Sequence, residues 1–253
     1  MANLFPTQSK KHSGQLNLKY QTRKTCDLIA DNYTVLDSNW GLDKGFISKA
    51  FFGKSNLRVL DAGCGPGLHT KFILDKFDSK INHVTGVDFS SGMLAVARKN
   101  IGKNPKVTLK KMDLLKLRLP RNSFDIILCM NVLGNIIEND IESSKNARLR
   151  VLRRLFGLLL PNGLLLCSVY DLAKANVPKD YQRENISFAE RESRVVDGDF
   201  VVKVISGRED SRFYSHWFLK TELICLMKKC GFINYRSFFT NKRLFFVLKK
   251  QGL

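Results

Sequence analysis

The stretch Asp61-Ala62-Gly63-Cys64-Gly65-Pro66-Gly67 decides the fold of this chain. It follows a short apolar run from Leu57 to Leu60 that is typical of a β-strand. Apolar residues at helical spacing begin directly after it and continue to Phe77. Glycine allows backbone angles that other residues avoid, and it lacks the Cβ that would block a ligand. A strand, a glycine-rich turn and a helix in this order predict an α/β domain that binds a nucleotide-like ligand beside the turn.

The spacing within the turn indicates which kind of ligand it binds. Dinucleotide dehydrogenases use G-x-G-x-x-G and place a pyrophosphate at the helix N-terminus. Here Gly67 comes one position earlier than that pattern requires, and Asp61 stands before the turn. A carboxylate at this place would repel a pyrophosphate but suits a ligand that carries an ammonium group and no phosphate. The turn therefore favours a methionine-type ligand over a dinucleotide.

Strand and helix patterns alternate along the rest of the chain. After the first strand, β-like runs are predicted at 83–87, 106–110, 124–130 and 163–170, and helices at 67–77, 91–100 and 141–160. Repeated alternation of this kind predicts a parallel sheet with right-handed crossovers. A helix at 221–230 precedes two last strands, 233–239 and 243–248, which have no helix between them and should run antiparallel to each other. Two further helices, 25–33 and 42–52, precede the first strand.

Two acids stand at the ends of the next two predicted strands. Asp88 closes Gly86-Val87-Asp88, and Asp113 follows the third strand. An acid at the end of the second strand can accept hydrogen bonds from both hydroxyls of a ribose. The carboxylate of Asp113 can face an adenine amino group. Together with Asp61, three acids at the carboxyl ends of three successive strands converge on the crevice where α/β sheets bind ligands.

On these motifs the chain resembles the class I S-adenosylmethionine-dependent methyltransferases of the broad methyltransferase-domain group. The resemblance spans about residues 25 to 250. It is carried by the segments 59–67, 86–93, 107–114, 124–131 and 159–163. It implies an α/β, three-layer, Rossmann-like fold with a seven-stranded, mostly parallel sheet and an antiparallel last strand. The implied cofactor is S-adenosyl-L-methionine, and the implied activity is methyl transfer.

The resemblance also implies which residues contact the cofactor. Asp61 with Gly63, Gly65 and Gly67 would face the methionine part, and Asp88 would hold the ribose. Phe89 and Met93 would flank the adenine, with Asp113 and Leu114 at its edge and Asn131 on the methyl-transfer side. For Met93, a place in the core of its helix is an equally good interpretation.

The segment between the fifth strand and the last helix breaks the alternation. Arg194-Val195-Val196-Asp197-Gly198-Asp199-Phe200-Val201-Val202 has Asp-Gly between two β-rich runs, which predicts a hairpin. At the other end of the chain, we expect a polar, partly mobile segment over residues 1–24. The methyltransferase domain should cover 25–253, with an inserted hairpin lid at about 171–217.

A sulfonium carries its own leaving group, so the expected reaction is an in-line SN2 displacement that depends mainly on alignment. An oxygen or nitrogen acceptor can also need a base. The candidates are Tyr170, Asp171, Tyr214 and His216, which lie after the fifth strand or in the predicted lid.

Composition and charge bear on the partners. The net charge is +19, with nine basic residues and one acid between Arg98 and Arg121, which indicates affinity for a polyanion such as RNA. The six cysteines and four histidines form no zinc-type cluster, so we expect no metal. No apolar run is long enough to span a bilayer and no signal-peptide pattern is present, so we expect a cytoplasmic protein without a membrane partner.

The methyl acceptor is left open by these patterns, as is the oligomeric state. The segment after the fourth strand, Asn131-Val132-Leu133-Gly134, lacks the motif with which amino-methylating DNA enzymes stack a flipped base. A small-molecule O- or N-acceptor is favoured, and an RNA methyltransferase that uses the basic surface is the alternative. A third hypothesis is a non-catalytic, methyltransferase-like binding subunit.

Overall fold

The computed structural model describes residues 18–33, 40–138, 141–174, 198–206, 209–232, 234–240 and 243–252. The α-helices in these ranges are α1 (Leu18–Ile29), α2 (Trp40–Ala50), α3 (Leu68–Phe77), α4 (Ser91–Ile101), α5 (Ile141–Leu158) and α6 (Lys220–Lys229). The strands are β1 (Leu57–Ala62), β2 (Ile81–Asp88), β3 (Val107–Lys111), β4 (Phe124–Met130), β5 (Leu159–Tyr170), β6 (Asp199–Ser206), β7 (Glu209–His216), β8 (Asn234–Thr240) and β9 (Arg243–Lys249).

Seven strands form one sheet in the order β3-β2-β1-β4-β5-β9-β8. Strands β1 to β5 are parallel, β9 is antiparallel to β5, and β8 is antiparallel to β9. The predicted three-layer, Rossmann-like sheet with a reversed last strand is therefore confirmed. The reversal follows from the short connection between β8 and β9, because a parallel neighbour would need a crossover long enough to return to the other end of the sheet.

Helices cover both faces of the sheet, which explains the near-continuous apolar character of the central strands. On one face, α5 and α6 contribute Leu152, Leu155 and Met227 to a fully buried cluster. On the other face, α2 and α3 contribute Ile47 and Ile73 to a second buried cluster. The sheet between them is therefore held with its strand ends fixed, and the carboxyl ends of β1, β2, β3 and β4 lie along one edge.

The boundary between α5 and β5 differs from the prediction. The helix ends at Leu158 rather than at residue 160, and the predicted Pro-Asn-Gly turn lies within the bounds of β5. The pairing shows how this is possible: Phe124 pairs with Leu159, whereas Ile126 already pairs with Leu164. The extra residues form a bulge, in which Asn162 takes a φ of 64°.

The hairpin of the insertion also differs from the prediction. Residues 194–197 lie outside the described ranges, and the described hairpin is formed by β6 with β7, with Asp199 opposite His216 and Ser206 opposite Glu209. The Asp197-Gly198 turn signal is therefore not where these two strands join. Gly198 instead accepts a hydrogen bond from the Trp217 backbone N–H (2.8 Å) and takes a φ of 86°.

The first helix begins at Leu18 rather than at Thr25, so part of the segment expected to be mobile is helical. It lies against the hairpin, where the Tyr214 backbone N–H donates to Thr22 Oγ1 (2.9 Å). No helix in the described ranges is both long enough and apolar enough to cross a membrane.

Candidate functional site

The glycine-rich turn connects β1 to α3 at the carboxyl edge of the sheet. The backbone N–H groups of Gly63 and Cys64 both donate to the carbonyl of Val87 in β2, at 2.8 and 3.0 Å, which ties the turn to the neighbouring strand. All three glycines have positive φ values, 78° for Gly63, 51° for Gly65 and 79° for Gly67. These angles suit glycine and few other residues.

The three glycines have different surroundings. A Cβ on Gly63 would lie 2.5 Å from a methyl group of Val132, and a Cβ on Gly67 would lie 2.9 Å from Ile101. A Cβ on Gly65 would meet nothing within 4 Å, and Gly65 lines the cavity described below. Gly63 and Gly67 are therefore required by packing, whereas Gly65 leaves room for a ligand.

Asp61 lies behind the turn. It is 1% exposed, and its Oδ2 accepts a hydrogen bond from Thr70 Oγ1 (2.7 Å). Burial raises the pKa of Asp61, while the positive potential of His69 and the hydrogen bonds from Thr70 lower it. Asp61 is not among the residues that line the cavity, and neither is Gly67. Asp61 is held by Thr70, and Gly67 packs closely against Ala97 and Ile101 of α4.

Asp88 ends β2 and lies at the cavity wall. Its Oδ2 accepts from the Gly65 backbone N–H and its Oδ1 from the Ser90 backbone N–H, both at 2.9 Å. Burial raises the pKa of Asp88 to about 6 despite these two bonds. Each carboxylate oxygen has a second lone pair. The side chain can therefore accept two hydroxyl groups from a ligand in addition to the backbone donors.

Asp113 lies at the next strand end. Its Oδ1 accepts from the Leu115 backbone N–H (2.9 Å), and its Oδ2 is 2.7 Å from Nζ of Lys19 in α1. Both Asp113 and Lys19 line the cavity. The motif pattern contains no signal for this lysine, because it comes from a helix that precedes the first strand.

A second contact holds α1 against the sheet. Asp27 Oδ1 accepts from Ser90 Oγ (2.5 Å) and from the Gly92 backbone N–H (2.8 Å) at the start of α4. The same helix places Cys26 in the cavity wall, where burial raises the pKa of its thiol. α1 is therefore one wall of the cavity.

The opposite wall follows β4. Asn131 has a φ of 56°, and its backbone N–H donates to the carbonyl (2.9 Å) and the Oγ (3.1 Å) of Ser168 in β5. Val132, Asn135 and the apolar residues after them continue this wall. The positive φ of Asn131 turns the chain after β4, and the next residue, Val132, packs against Gly63 of the glycine turn.

The cavity brings together eight of the ten predicted cofactor residues. These are Gly63, Gly65, Asp88, Phe89, Met93, Asp113, Leu114 and Asn131. The pattern-based prediction missed a larger set that the fold adds to the wall: Lys19, Cys26, Tyr33, Met112, Leu115, Met130, Val132, Asn135, Ile136 and Ile137. Most of the second set are ordinary apolar residues of a strand end or helix, which carry no sequence signal of their own.

The three predicted catalytic residues do not line this cavity. Tyr170 stacks on Trp217 with ring centroids 4.8 Å apart, and Tyr214 is buried with its hydroxyl against the guanidinium of Arg148. His216 is buried, and its Nε2 lies 3.0 Å from Glu222 Oε1. The fourth candidate base in the sequence, Asp171, accepts a hydrogen bond from the Ala173 backbone N–H (3.0 Å). Asp171 does not line the cavity either.

Within the described residues, no three His, Cys, Asp or Glu side chains lie close enough together to hold a metal ion. The six cysteines are free thiols.

The chemistry of the cavity fits a nucleoside that carries no phosphate. Two carboxylates, Asp88 and Asp113, face it, and apolar side chains such as Phe89, Met93 and Leu114 can pack on a flat base. The fit with S-adenosylmethionine is good, because the open space beside Gly65 leaves room for the methionine part and the buried acceptor at Asp88 suits the ribose of the adenosine.

Comparison with known proteins agrees with this chemistry. Residues 59–163 match the model of a family described as a methyltransferase domain. The chain is 32% identical over 139 residues to phosphoethanolamine N-methyltransferase 1 of Arabidopsis thaliana, covering 50% of this chain and 26% of that protein. It is 36% identical over 118 residues to malonyl-(acyl-carrier protein) O-methyltransferase of Bacillus cereus, covering 46% and 38%. The chain thus spans well under half the length of these two relatives.

Among solved structures, an S-adenosylmethionine-dependent methyltransferase from Clostridium acetobutylicum superposes with a TM-score of 0.64. The alignment covers 90% of this chain and 99% of that one at 16% sequence identity. At this identity the likeness establishes the fold, and the match over residues 59–163 shows that this part of the chain is similar to the methyltransferase-domain family.

Proposed function

We propose that the chain is a class I S-adenosylmethionine-dependent methyltransferase that transfers a methyl group from S-adenosylmethionine to an oxygen or nitrogen atom of a small-molecule acceptor, as its similarity to the methyltransferase-domain family and its fold support. The observation that carries the proposal is the cavity at the carboxyl edge of the sheet. There the glycine turn, Asp88, Asp113 and Asn131 meet around one space. The roles proposed for the other residues follow from their positions around this cavity.

The adenosine end would be held by the β2 and β3 ends. Asp88 would accept the two ribose hydroxyls, since its carboxylate is already oriented by the Gly65 and Ser90 backbone N–H groups. Phe89, Met93 and Leu114 would pack against the adenine, and Asp113 would lie at its edge. Bonds from fixed backbone donors keep the Asp88 side chain in one rotamer, so little entropy is lost when ribose binds.

The methionine end would lie over the glycine turn. Gly65 leaves space for the backbone to approach, while Gly63 and Gly67 hold the turn by packing. Asp61 lies behind the turn, so we assign it an electrostatic role toward the ammonium group.

The sulfonium of the bound cofactor would supply an activated methyl group and its own leaving group. The task of the protein is then alignment, because holding reactants in line replaces a bimolecular encounter with an intramolecular step. Asn131 and Asn135 would border the methyl-transfer side. The Asn135 amide lies near the Asn131 carbonyl, at 3.5 Å, which keeps both on one wall.

Two observations favour a small molecule over RNA as acceptor. The names of the two curated relatives give phosphoethanolamine and malonyl-(acyl-carrier protein) as the compounds that those proteins methylate. In addition, several basic residues lie at the opposite edge of the sheet from the cavity. Arg121 precedes β4, and Lys250 follows β9, which is antiparallel to β5.

The test is calorimetric binding followed by methyl transfer. We expect the purified protein to bind S-adenosylmethionine and S-adenosylhomocysteine. We also expect it to transfer label from methyl-labelled cofactor to a component of a small-molecule extract depleted of RNA and protein. Transfer only to an RNA fraction would refute the small-molecule acceptor, with steep salt dependence as its signature. Absence of cofactor binding would refute the enzyme and leave the non-catalytic subunit.

A further inference from the structure

A buried polar cluster of Asp43, His69 and Arg243 lies behind the glycine turn, outside the cavity. Asp43 and Arg243 are 0% and 1% exposed. The Arg243 Nη1 lies 3.0 Å from each carboxylate oxygen of Asp43, and Nε2 of His69 lies 3.1 Å from Asp43 Oδ2. A buried carboxylate is costly unless it is paired and hydrogen-bonded, so this arrangement leaves Asp43 little freedom to move.

The three residues join elements that are far apart in the sequence. Asp43 is in α2, His69 is the second residue of α3, and Arg243 begins β9 opposite Tyr170 of β5. The pairing with the end of β5 places the cluster at the carboxyl edge of the sheet, the same edge as the glycine turn.

His69 connects this cluster to the turn. It is next to Thr70, whose hydroxyl donates to Asp61 (2.7 Å), and both residues belong to the first turn of α3. The first turn of α3 therefore carries one contact to Asp43 and one to Asp61, on neighbouring residues. Because His69 and Thr70 are adjacent, the contact of His69 with Asp43 helps to set the position from which Thr70 holds Asp61.

We propose that Asp43 is a positioning residue for the amino-acid end of the cofactor, because it fixes His69, and with it the first turn of α3, against Asp61. The inference rests on the proposed function, in which that end of S-adenosylmethionine lies over the glycine turn. It makes α2 and β9 parts of the cofactor site although neither lines the cavity. Asp43 and His69 act on the ligand only through Asp61 and the turn.

The test compares two ligands that differ only in the part concerned. S-adenosylhomocysteine carries the amino-acid group, and 5′-methylthioadenosine has the same thioadenosine without it. For the wild-type protein we expect tighter binding of S-adenosylhomocysteine, measured by calorimetry. The ratio of the two dissociation constants then reports the amino-acid end alone, because the adenosine contacts cancel.

The variants are His69→Leu, His69→Gln and Asp43→Asn. His69→Leu should weaken S-adenosylhomocysteine about tenfold, the effect of one lost bond to a charged group, and leave methylthioadenosine within about twofold. His69→Gln keeps a donor for Asp43 and should recover most of the ratio. Asp43→Asn should resemble His69→Leu. His83→Leu is the matched control, since His83 hydrogen-bonds Thr108 (3.0 Å) on β3, away from the turn.

Circular dichroism and thermal melts identify any variant that fails to fold, in which case the remaining variants carry the test. If His69→Leu leaves the ratio of the two dissociation constants unchanged, whether or not both affinities fall, the inference is overturned. The proposed function still stands in that case, because the wild-type protein prefers S-adenosylhomocysteine. If the wild-type protein binds neither ligand, the proposed function fails and the inference fails with it. The Asp61→Asn variant should reduce the same ratio directly, and an unchanged ratio there also overturns the inference.

Discussion

Asp88 should make cofactor binding depend on pH in a range where few side chains titrate. Burial raises the pKa of this carboxyl to about 6 in the ligand-free protein, against about 3.9 for an ordinary aspartate. The ionised form is the one that can accept two ribose hydroxyls, because a protonated carboxyl uses one oxygen as a donor. Affinity should therefore rise as the pH rises through 6.

The size of the effect follows from the ionised fraction. With a pKa of about 6, roughly a tenth of the Asp88 carboxyl is ionised at pH 5 and about nine tenths at pH 7. If only the ionised form binds, the dissociation constant should fall by about tenfold between these two pH values. Binding in turn should lower the pKa of Asp88, since the ribose hydrogen bonds favour the charge.

The raised pKa of Asp88 also makes the stability of the ligand-free protein depend on pH, in the opposite direction to the cofactor affinity. Because the folded-state pKa of Asp88 lies above its unfolded value, the folded state holds the proton more strongly. The contribution of Asp88 to the free energy of unfolding is therefore greatest below about pH 4 and declines as the pH rises to about 6. Cofactor affinity and stability should thus change in opposite directions over this range.

The assay is calorimetric titration with S-adenosylhomocysteine at several pH values between 5 and 7.5, for the wild-type protein and Asp88→Asn. The variant should bind more weakly, by roughly 10- to 100-fold at pH 7, since charge-assisted hydrogen bonds are replaced by neutral ones. Its affinity should also no longer follow the pH. A wild-type affinity that does not change between pH 5 and 7, or a tenfold change that persists in Asp88→Asn, would refute the reasoning.

Two further predictions concern packing. Gly63→Ala should destabilise the protein by about 1–3 kcal/mol, because the added Cβ would overlap the Val132 side chain and residue 63 has a positive φ. Gly65→Ala should cost less stability and instead weaken cofactor binding, because its Cβ would enter open space beside the cavity. Urea unfolding measures the stability and calorimetry the binding, and equal losses of stability in the two variants would contradict this. Tyr214→Phe should lower the free energy of unfolding by about 1–3 kcal/mol, because the hydrogen bond to the buried Arg148 is lost, and cofactor affinity should not change. A marked loss of affinity without a loss of stability would show that Tyr214 takes part in binding.

Much of the site could be predicted because its signals are local. The glycine turn, Asp88 and Asp113 each stand at a fixed position relative to a strand, and strand ends in a parallel sheet meet at one edge. Of the ten predicted cofactor residues, Asp61 and Gly67 are the two that do not line the cavity. Spacing along the chain indicates that a residue belongs to the turn, but which atoms surround it depends on the elements that pack there, such as Thr70 against Asp61 and α4 against Gly67.

The predicted bases show the other limit. Tyr170, Tyr214 and His216 are the types of residue that can move a proton. Tyr170 is the last residue of β5, and the other two lie in β7. In the folded chain they stack on Trp217, contact Arg148 and pair with Glu222. These partners lie in α5, in α6 and in the segment before α6, and the sequence around the three predicted bases does not indicate them.

The sequence by itself determined the alternation of strands and helices in a mainly parallel sheet and the kind of ligand that the Asp61–Gly67 turn suits, whereas the seven-stranded order was implied by the family resemblance. The first two follow from periodicity and from glycine geometry, which act between residues close together in the chain. Only the tertiary structure decided that α1 closes the cavity with Lys19 and Cys26, and that Asp43 meets Arg243 across 200 residues. Such contacts depend on how the helices pack on the finished sheet, because burial and charge pairing are properties of the folded arrangement.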